Sequence, residues 1–172
     1  MGKSFVDNVI NNATYFGVLT ASNDYTLLTF ESSYTNTSNK CHEYYKNFSD
    51  CVYFFFDKED VDANKITSKS LYKIGKASGI TAWYSRFKQY EKGIDGDSTN
   101  RFILNKMNKL NMQSVYVYAV ATPIATVDVL CPLTGKPIQL KLRTSKSFES
   151  YFSNVYIEED SDNSLPLCKQ LV

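Results

Sequence analysis

The sequence lacks several features that would place it in common classes of protein. It has one histidine, and its four cysteines form no closely spaced pair, so the ligand spacing of a structural zinc site is missing. No apolar run reaches the roughly 20 residues that span a bilayer, and no apolar leader opens the chain. We therefore expect no membrane contact and a cytoplasmic location. The sequence also has no glycine-rich P-loop, which argues against a nucleotide-hydrolysing enzyme.

The remaining composition is that of an ordinary globular protein. Apolar residues make up 43% and charged residues 22% of the 172 residues, and 13 Tyr and 11 Phe can fill a sizeable core. The chain contains no internal repeat and no obvious linker. A chain of this length suits one hydrophobic core, so we expect residues 1–172 to form a single domain.

Charge is unevenly distributed, although the net charge is only +1. Residues 1–64 carry a net charge of −5 and residues 111–172 a net charge of −1, whereas residues 65–110 hold ten Lys or Arg against three acids. A basic segment between acidic flanks fits a surface that binds a phosphate backbone. A solvated helical surface would carry the same charge, so charge alone does not separate the two.

Hydrophobic periodicity and turn residues predict an α/β (α+β) architecture. Weak alternation over residues 20–30 and a turn at Asn23-Asp24 favour a helix followed by a hairpin in the first 50 residues, with a loop over 32–40. Beyond them, short apolar runs predict buried strands, and stripes spaced i, i+3, i+4, i+7 predict amphipathic helices. These elements are, in order, strands 51–56 and 70–75 as an antiparallel pair, helix 80–91, a helix capped near 97–99 that carries Phe102, Ile103, Met107 and Leu110 on one face, strand 115–120, a hairpin of 127–130 with 138–142, and helix 146–155.

This layout brings four chemically distinct side chains towards one surface. Tyr53 lies on the first strand, Lys73 on its partner, Arg86 on the following helix and Glu149 in the first turns of the last helix. Together they suit hydrolysis of a phosphodiester. A tyrosine can act as a base when a nearby cation favours its ionised form. A guanidinium can neutralise charge on the phosphoryl oxygens, and a carboxylate can hold a hard divalent ion.

Each of these residues also has a simpler explanation when taken alone. Tyr53 is one of 13 tyrosines and sits in an aromatic strand, which favours core packing. Lys73 and Lys76 fit exposed positions near a strand end, and Arg86 fits a solvated helix surface. Glu149 in a first helical turn can simply complement the helix dipole.

The order of these residues resembles the GIY-YIG nuclease superfamily. The resemblance rests on Val52-Tyr53, Lys73-Ile74-Gly75, Arg86 in a helix and Glu149 in a late helix. It covers roughly residues 50–166 and is closest to compact Type II restriction endonucleases in which the second motif reads KIG. The segments 102–111 and 144–146 are similar to that branch.

The resemblance implies a fold and a set of roles. The family fold is a small three-stranded antiparallel sheet flanked by helices, here formed by residues 51–166, with residues 1–50 as an N-terminal extension and with an inserted hairpin. Tyr53 matches the general base, and Lys73 matches the lysine that assists its phenol in the KIG branch. Gly75 permits the strand exit. Arg86 matches the family's essential arginine, and Glu149 matches its metal-binding glutamate. Lys76 stands where the closest relatives have a histidine.

The implied activity is hydrolysis of double-stranded DNA by a Mg²⁺-dependent endonuclease, with Mn²⁺ as a substitute ion. One carboxylate does not readily hold two ions about 4 Å apart, so a one-metal mechanism is expected. A restriction role implies a homodimer that cuts one strand per subunit, and a cognate DNA methyltransferase. Affinity is expected from the basic segment 65–110 and from Lys141, Arg143 and Lys146, and base readout from residues 1–50 and the hairpin. A low-specificity nuclease of phage or mobile-element type and a catalytically inactive DNA-binding module remain the alternatives.

Overall fold

A central antiparallel sheet organises the computed structural model of the chain, which describes residues 4–33, 47–79, 82–159 and 165–168. Its strands are β1 (Thr14–Ala21), β2 (Leu28–Ser32), β3 (Asp50–Asp57), β4 (Leu71–Ser78) and β5 (Ser114–Ala121). Their order across the sheet is β2-β1-β5-β3-β4, and all neighbours are antiparallel. Strand β3 therefore has a partner on each side, β5 and β4.

Helices cover both faces of this sheet. They are α1 (Phe5–Asn12), α2 (Lys58–Asp62), α3 (Ala82–Tyr90), α4 (Ser98–Lys109) and α5 (Ser145–Glu159). Strands β6 (Ile124–Leu130) and β7 (Pro137–Arg143) form a separate two-stranded sheet. No helix within the described ranges is long and apolar enough to cross a membrane.

The expectation of a three-stranded sheet is wrong, because the main sheet has five strands. The first part of the chain forms the predicted helix and hairpin, but β1 also pairs with β5 along most of its length. Phe16 and Leu19 on β1 are fully buried. The register of β1 shifts between Tyr15 and Gly17, and this irregularity weakens the alternation that a sequence pattern relies on. Most of the predicted loop 32–40 lies outside the described residues.

The core lies in two layers, one on each face of β3. All six residues from Cys51 to Phe56 are at most 1% exposed, because β3 is covered on both faces. Tyr53 and Phe55 pack towards α3 and α4, whereas Phe54 and Phe56 pack towards α1 and α5. The short apolar run at this point therefore marks a buried strand, as predicted, and that strand lies inside the sheet between β5 and β4.

Local signals place the ends of several elements. Asp97 caps α4 by accepting hydrogen bonds from the backbone N–H groups of Thr99 and Asn100. Leu110 was predicted on the apolar face of α4, but it follows the helix and is 45% exposed. Helix α3 was predicted from residue 80; residues 80 and 81 lie outside the described part of the chain, and the helix begins at Ala82.

The β6–β7 hairpin, predicted over nearly the same residues, has two faces of different character. On one face every cross-strand pair is apolar, namely Ala125 with Leu142, Val127 with Leu140, and Val129 with Ile138. The other face carries polar and basic pairs such as Thr126 with Lys141. Most of the hairpin is exposed, including Leu142 at 47% and Leu140 at 41% of their accessible surface. An apolar sheet face therefore lies open to solvent.

Deletion of residues 1–33 is expected to prevent folding. The deletion uncovers the edge of β5 and removes Phe16 and Leu19 from the core. Full burial of such a side chain stabilises a fold by about 1.5–3 kcal/mol. Circular dichroism and denaturant unfolding of a 34–172 fragment check this, with replacement of residues 124–143 by a short Gly-Ser linker as a control that keeps the sheet intact. A cooperative unfolding transition of the fragment near the wild-type midpoint would contradict the expectation.

Candidate active site

A cleft of about 410 Å³ opens beside the edge strand β4. All five residues singled out in the sequence line it: Tyr53, Lys73, Lys76, Arg86 and Glu149. Residues 75–78 of β4 and Gly79, which follows the strand, also contribute to the wall. The structure thus gathers one phenol, one guanidinium, two ammonium groups and one carboxylate from four separate elements.

The cleft lies across the edge of the sheet, and residues from both faces of the sheet line it. Tyr53 and α3, which carries Arg86, belong to one core layer, and α5, which carries Glu149, packs on the opposite layer. The β3–β4 register pairs Tyr53 with Gly75 and Val52 with Lys76. Successive residues of a strand point to opposite faces, so β4 offers groups to both sides of the cleft.

Gly75 allows the Tyr53 ring to lie directly against β4. A Cβ atom at position 75 would overlap the Cζ and hydroxyl end of that ring. Glycine is therefore required here by close approach, since only hydrogen fits between the strand and the phenol. The glycine in the sequence motif thus has a steric reason in this chain.

The Tyr53 hydroxyl is held by two groups from α3. It lies 2.7 Å from the hydroxyl of Tyr90 and accepts a hydrogen bond from Nε of Arg86 at 3.2 Å. The Arg86 guanidinium stacks 5.0 Å from the centre of the Tyr90 ring and donates from Nη1 to the side chain of Gln89 at 3.2 Å. Tyr53 and Tyr90 are at most 1% exposed, so this network is shielded from bulk water except at the cleft.

The electrostatics of the network keep Arg86 charged and Tyr90 protonated. Burial disfavours the guanidinium, but Tyr53 and Tyr90 more than offset it and raise the pKa of Arg86 above its ordinary value. Burial raises the pKa of Tyr90 well above its ordinary value; Tyr53 adds to this rise and Arg86 opposes it. Tyr90 therefore stays available as a hydrogen-bond donor to the Tyr53 oxygen.

Lys73 is buried, and the C-terminal segment 165–168 helps to hold it. Its exposure is only 6%, and its Nζ donates to the carbonyl oxygen of Leu167 at 3.4 Å. The Leu167 N–H in turn donates to the carbonyl of Tyr72 at 3.0 Å, and the Leu167 side chain is fully buried. The segment thus covers the edge of β4 next to the cleft. The sequence expectation of an exposed strand-end lysine does not apply at this position.

Glu149 is half-buried and surrounded by cations. Burial raises the pKa of its carboxyl above the ordinary value, and the charges of Lys76, Lys73 and Arg86 oppose that rise, as does Lys146 more weakly. The Glu149 carboxylate is therefore partly removed from water, and nearby positive charges partly compensate its negative charge. Such a group gains from binding a cation that replaces the lost water.

Among the described residues that line the cleft, Glu149 is the one carboxylate that could hold a divalent ion. Among residues 4–33, 47–79, 82–159 and 165–168, no group of three or more His, Cys, Asp or Glu side chains is placed to share a metal ion. Mg²⁺ commonly binds through one or two carboxylates and keeps its other positions for water and substrate phosphate. Glu149 fits that pattern, whereas a closed site made entirely of protein ligands does not.

Tyr90 and Gln89 are the site residues that sequence reasoning missed. Tyr90 was assigned to the apolar stripe of α3, and burial does place it in the core. Its position four residues after Arg86, on the same helix face, was the available signal that its hydroxyl could join the arginine. A hydrophobic pattern counts the Tyr90 ring as apolar and does not report the contacts of its hydroxyl group.

The close approach of Gly75 and Tyr53 predicts coupled mutational effects. Gly75→Ala should lower the free energy of unfolding by about 1–3 kcal/mol, because overpacking forces the Tyr53 ring or the strand to move. In a Tyr53→Ala background the same change should cost much less. Denaturant unfolding of the two single variants and the double variant completes the cycle. Equal costs in both backgrounds would contradict the steric role of Gly75.

The chain was compared with family models, curated proteins and solved structures. No family model matches the sequence, and no curated protein matches it. Among solved structures, the chain is similar to the restriction endonuclease HPY188I, determined in complex with product DNA. The two are 21% identical with a TM-score of 0.46, over 95% of this chain and 83% of that chain. Values this low establish neither a shared family nor a shared function.

Proposed function

We propose that this chain is a divalent-metal-dependent endonuclease that hydrolyses phosphodiester bonds in double-stranded DNA. The observation that carries the proposal is the meeting of the Tyr53–Tyr90–Arg86 network with the half-buried Glu149 in one cleft. These groups can take a proton from water, bind a phosphate and hold a cation. Hydrolysis of a phosphodiester needs each of these three tasks.

Tyr53 is the proposed general base. Its oxygen receives hydrogen bonds from Arg86 Nε and, in the ionised state, from the Tyr90 hydroxyl, so its negative charge has two donors. The ammonium group of Lys73, in the same cleft, adds positive charge nearby. The Tyr53 oxygen would accept the proton of a water molecule as that water attacks the phosphorus.

The cations of the cleft would bind and orient the scissile phosphate. Arg86 lines the cleft, and Lys76 lies on its β4 wall. Guanidinium and ammonium groups aimed at phosphoryl oxygens stabilise the charge that builds up in the transition state. Burial of the network limits competition from water, which strengthens these contacts.

Glu149 would hold the metal ion, which we propose to be Mg²⁺ with Mn²⁺ as a substitute. A divalent ion bound there supplies electrophilic stabilisation of the oxygen that leaves the phosphorus. Glu149 contributes the negative charge and the position. Because Glu149 is the one carboxylate among the described residues of the cleft, the proposal is a one-metal mechanism.

We further propose that the chain is a GIY-YIG enzyme of the Type II restriction kind. The KIG motif supports this proposal, since its lysine lines the same cleft as Tyr53 and its glycine lies against the Tyr53 ring. A restriction role would pair the protein with a cognate DNA methyltransferase. A low-specificity nuclease would use the same cleft, and the pattern of cleavage products separates these two roles.

Plasmid cleavage in Mg²⁺ tests the activity and the site together. Tyr53→Phe and Glu149→Ala should each reduce the rate by at least about 100-fold, because each removes a group that acts in the chemical step. Tyr151→Phe and Glu158→Ala are matched controls on exposed positions of α5 and should retain the wild-type rate. Discrete fragments would support restriction, and smeared products a low-specificity nuclease.

Two results would contradict these proposals. Retention of full activity by Tyr53→Phe would exclude the phenol as base. DNA binding without cleavage in Mg²⁺ or Mn²⁺ would indicate a non-catalytic DNA-binding module. Removal of the metal with EDTA should stop cleavage and leave DNA binding measurable.

We also propose a homodimer, with the apolar face of the β6–β7 hairpin as its contact surface. Exposed apolar patches larger than a few hundred Å² mark interaction sites, and an isolated two-stranded sheet is marginal in water. Two copies of this face carry no charge to repel one another. A two-fold contact uses the same patch on both subunits.

Adjacent substitutions on opposite faces of the hairpin test the dimer. Val127→Glu places a charge on the apolar face and should weaken dimerisation by at least about 10-fold, since an unpaired charge would be buried. Thr126→Glu places the same charge on the polar face, opposite Lys141, and should leave dimerisation unchanged. Analytical ultracentrifugation over a concentration series measures both. A monomeric wild type, or equal effects of the two variants, would exclude this contact.

A further inference from the structure

A buried carboxylate lies behind the cleft, where three elements of the site meet. Asp50, the first residue of β3, is 1% exposed. Its Oδ1 accepts a hydrogen bond from Ser78 Oγ at 2.7 Å. Its Oδ2 accepts from Thr122 Oγ1 at 2.8 Å and from the backbone N–H groups of Thr144 and Ser145, both at 2.9 Å. One carboxylate therefore satisfies four donors.

These donors connect Asp50, on β3, to β4 and α5, which carry three of the proposed catalytic groups. Asp50 precedes Tyr53 on β3, and Ser78 ends β4, the strand of Lys73 and Lys76. Ser145 begins α5, and Glu149 follows it by four residues, about one helical turn. A movement of the first turn of α5 would therefore be passed directly to Glu149.

Asp50 also acts as the cap of α5 from 95 residues away. The first N–H groups of a helix have no partners within the helix and favour a negative charge. The nearest local candidate, Thr144, donates its hydroxyl to the carbonyl of Pro123 instead. Ser145 and Ser78 share a hydrogen bond of 2.6 Å between their hydroxyls, which ties the same helix end to β4.

The Asp50 carboxyl is ionised at neutral pH. Burial alone would raise its pKa, but hydrogen bonds from Ser78, Ser145 and Thr122 outweigh burial and hold the pKa below its ordinary value. A charged acceptor makes stronger hydrogen bonds than a neutral one. The contacts of Asp50 are therefore stiff restraints on the helix end.

We propose that Asp50 is a positioning residue, which fixes the first turn of α5 against β3 and β4 and thereby sets the place of Glu149 relative to Tyr53. The proposal rests on the proposed function, in which Glu149 holds the metal ion. Asp50 is not among the described residues that line the cleft, so it would affect the site only by holding helix α5 in place. A displacement of about 1 Å in a catalytic group can reduce a rate by about 100-fold.

Two variants separate the charge of Asp50 from its shape. Asp50→Ala removes every acceptor and leaves the α5 N–H groups buried without a partner. Asp50→Asn keeps the size and one acceptor oxygen but loses the charge, so it should restrain the helix partly. Leu19→Ala is the matched control, because Leu19 is fully buried on β1 and lies on a strand that is separated from β3 by β5.

The first measurement is hydrogen–deuterium exchange of the amides of residues 144–148, which does not depend on catalysis. Exchange should speed up by at least about 10-fold in Asp50→Ala and by less in Asp50→Asn, because the cap that protects these amides is lost. Leu19→Ala should change the exchange rate of these amides much less, when the variants are compared at equal free energy of unfolding. Should Asp50→Ala fail to fold, the comparison of Asp50→Asn with Leu19→Ala decides the question.

The second measurement is the rate of cleavage at saturating DNA, with DNA affinity measured separately in EDTA. The rate should fall by about 10–100-fold in Asp50→Ala and the affinity by no more than about 3-fold. Binding of Mn²⁺ to the complex with DNA, followed by electron paramagnetic resonance, should weaken in parallel. Exchange and rates that match those of Leu19→Ala would overturn the proposal. A wild type without cleavage would overturn the proposed function, whereas the exchange data would still report on the helix cap.

Discussion

The pairing of Tyr53 with Gly75 across β3 and β4 is the contact on which the geometry of the cleft depends. A shift of one residue in this register would turn Tyr53 to the other face of the sheet, away from α3. Because position 75 has no side chain, the Cζ and hydroxyl end of the Tyr53 ring lies directly against β4, which is an edge strand. The place of Arg86 then follows, since its Nε must meet that hydroxyl.

The same aromatic residues supply both the core and the site. Tyr53, Phe87 and Tyr90 pack in one layer of the core, while two of their hydroxyl groups and Arg86 satisfy one another. A buried polar network costs little only when each member has a partner, so a change in one member affects the others. Stability and chemistry are therefore difficult to separate at these positions.

The sequence predicted the central strands, the flanking helices and the hairpin because their periodicity is strong. The five candidate residues line one cleft because the strands and helices that carry them meet at the β4 edge of the sheet. The sequence pattern did not predict that β1 and β2 join the main sheet. The register of β1 against β5 shifts between Tyr15 and Gly17, and this shift weakens the alternation of β1. Asp50 appeared only as a polar boundary before an apolar run, because its partners are 28–95 residues distant and no local pattern reports contacts of that range.

Both ends of the β6–β7 hairpin are attached to the rest of the protein at the same side chain, Asp50. Thr122 precedes the hairpin, Thr144 follows it, and both are bound by the Asp50 carboxylate. The chain between these two residues can therefore lengthen, shorten or change sequence while its two ends stay a fixed distance apart. Such a junction would let evolution exchange the projecting segment, and with it the choice of partner or target, without disturbing the chemistry of the cleft.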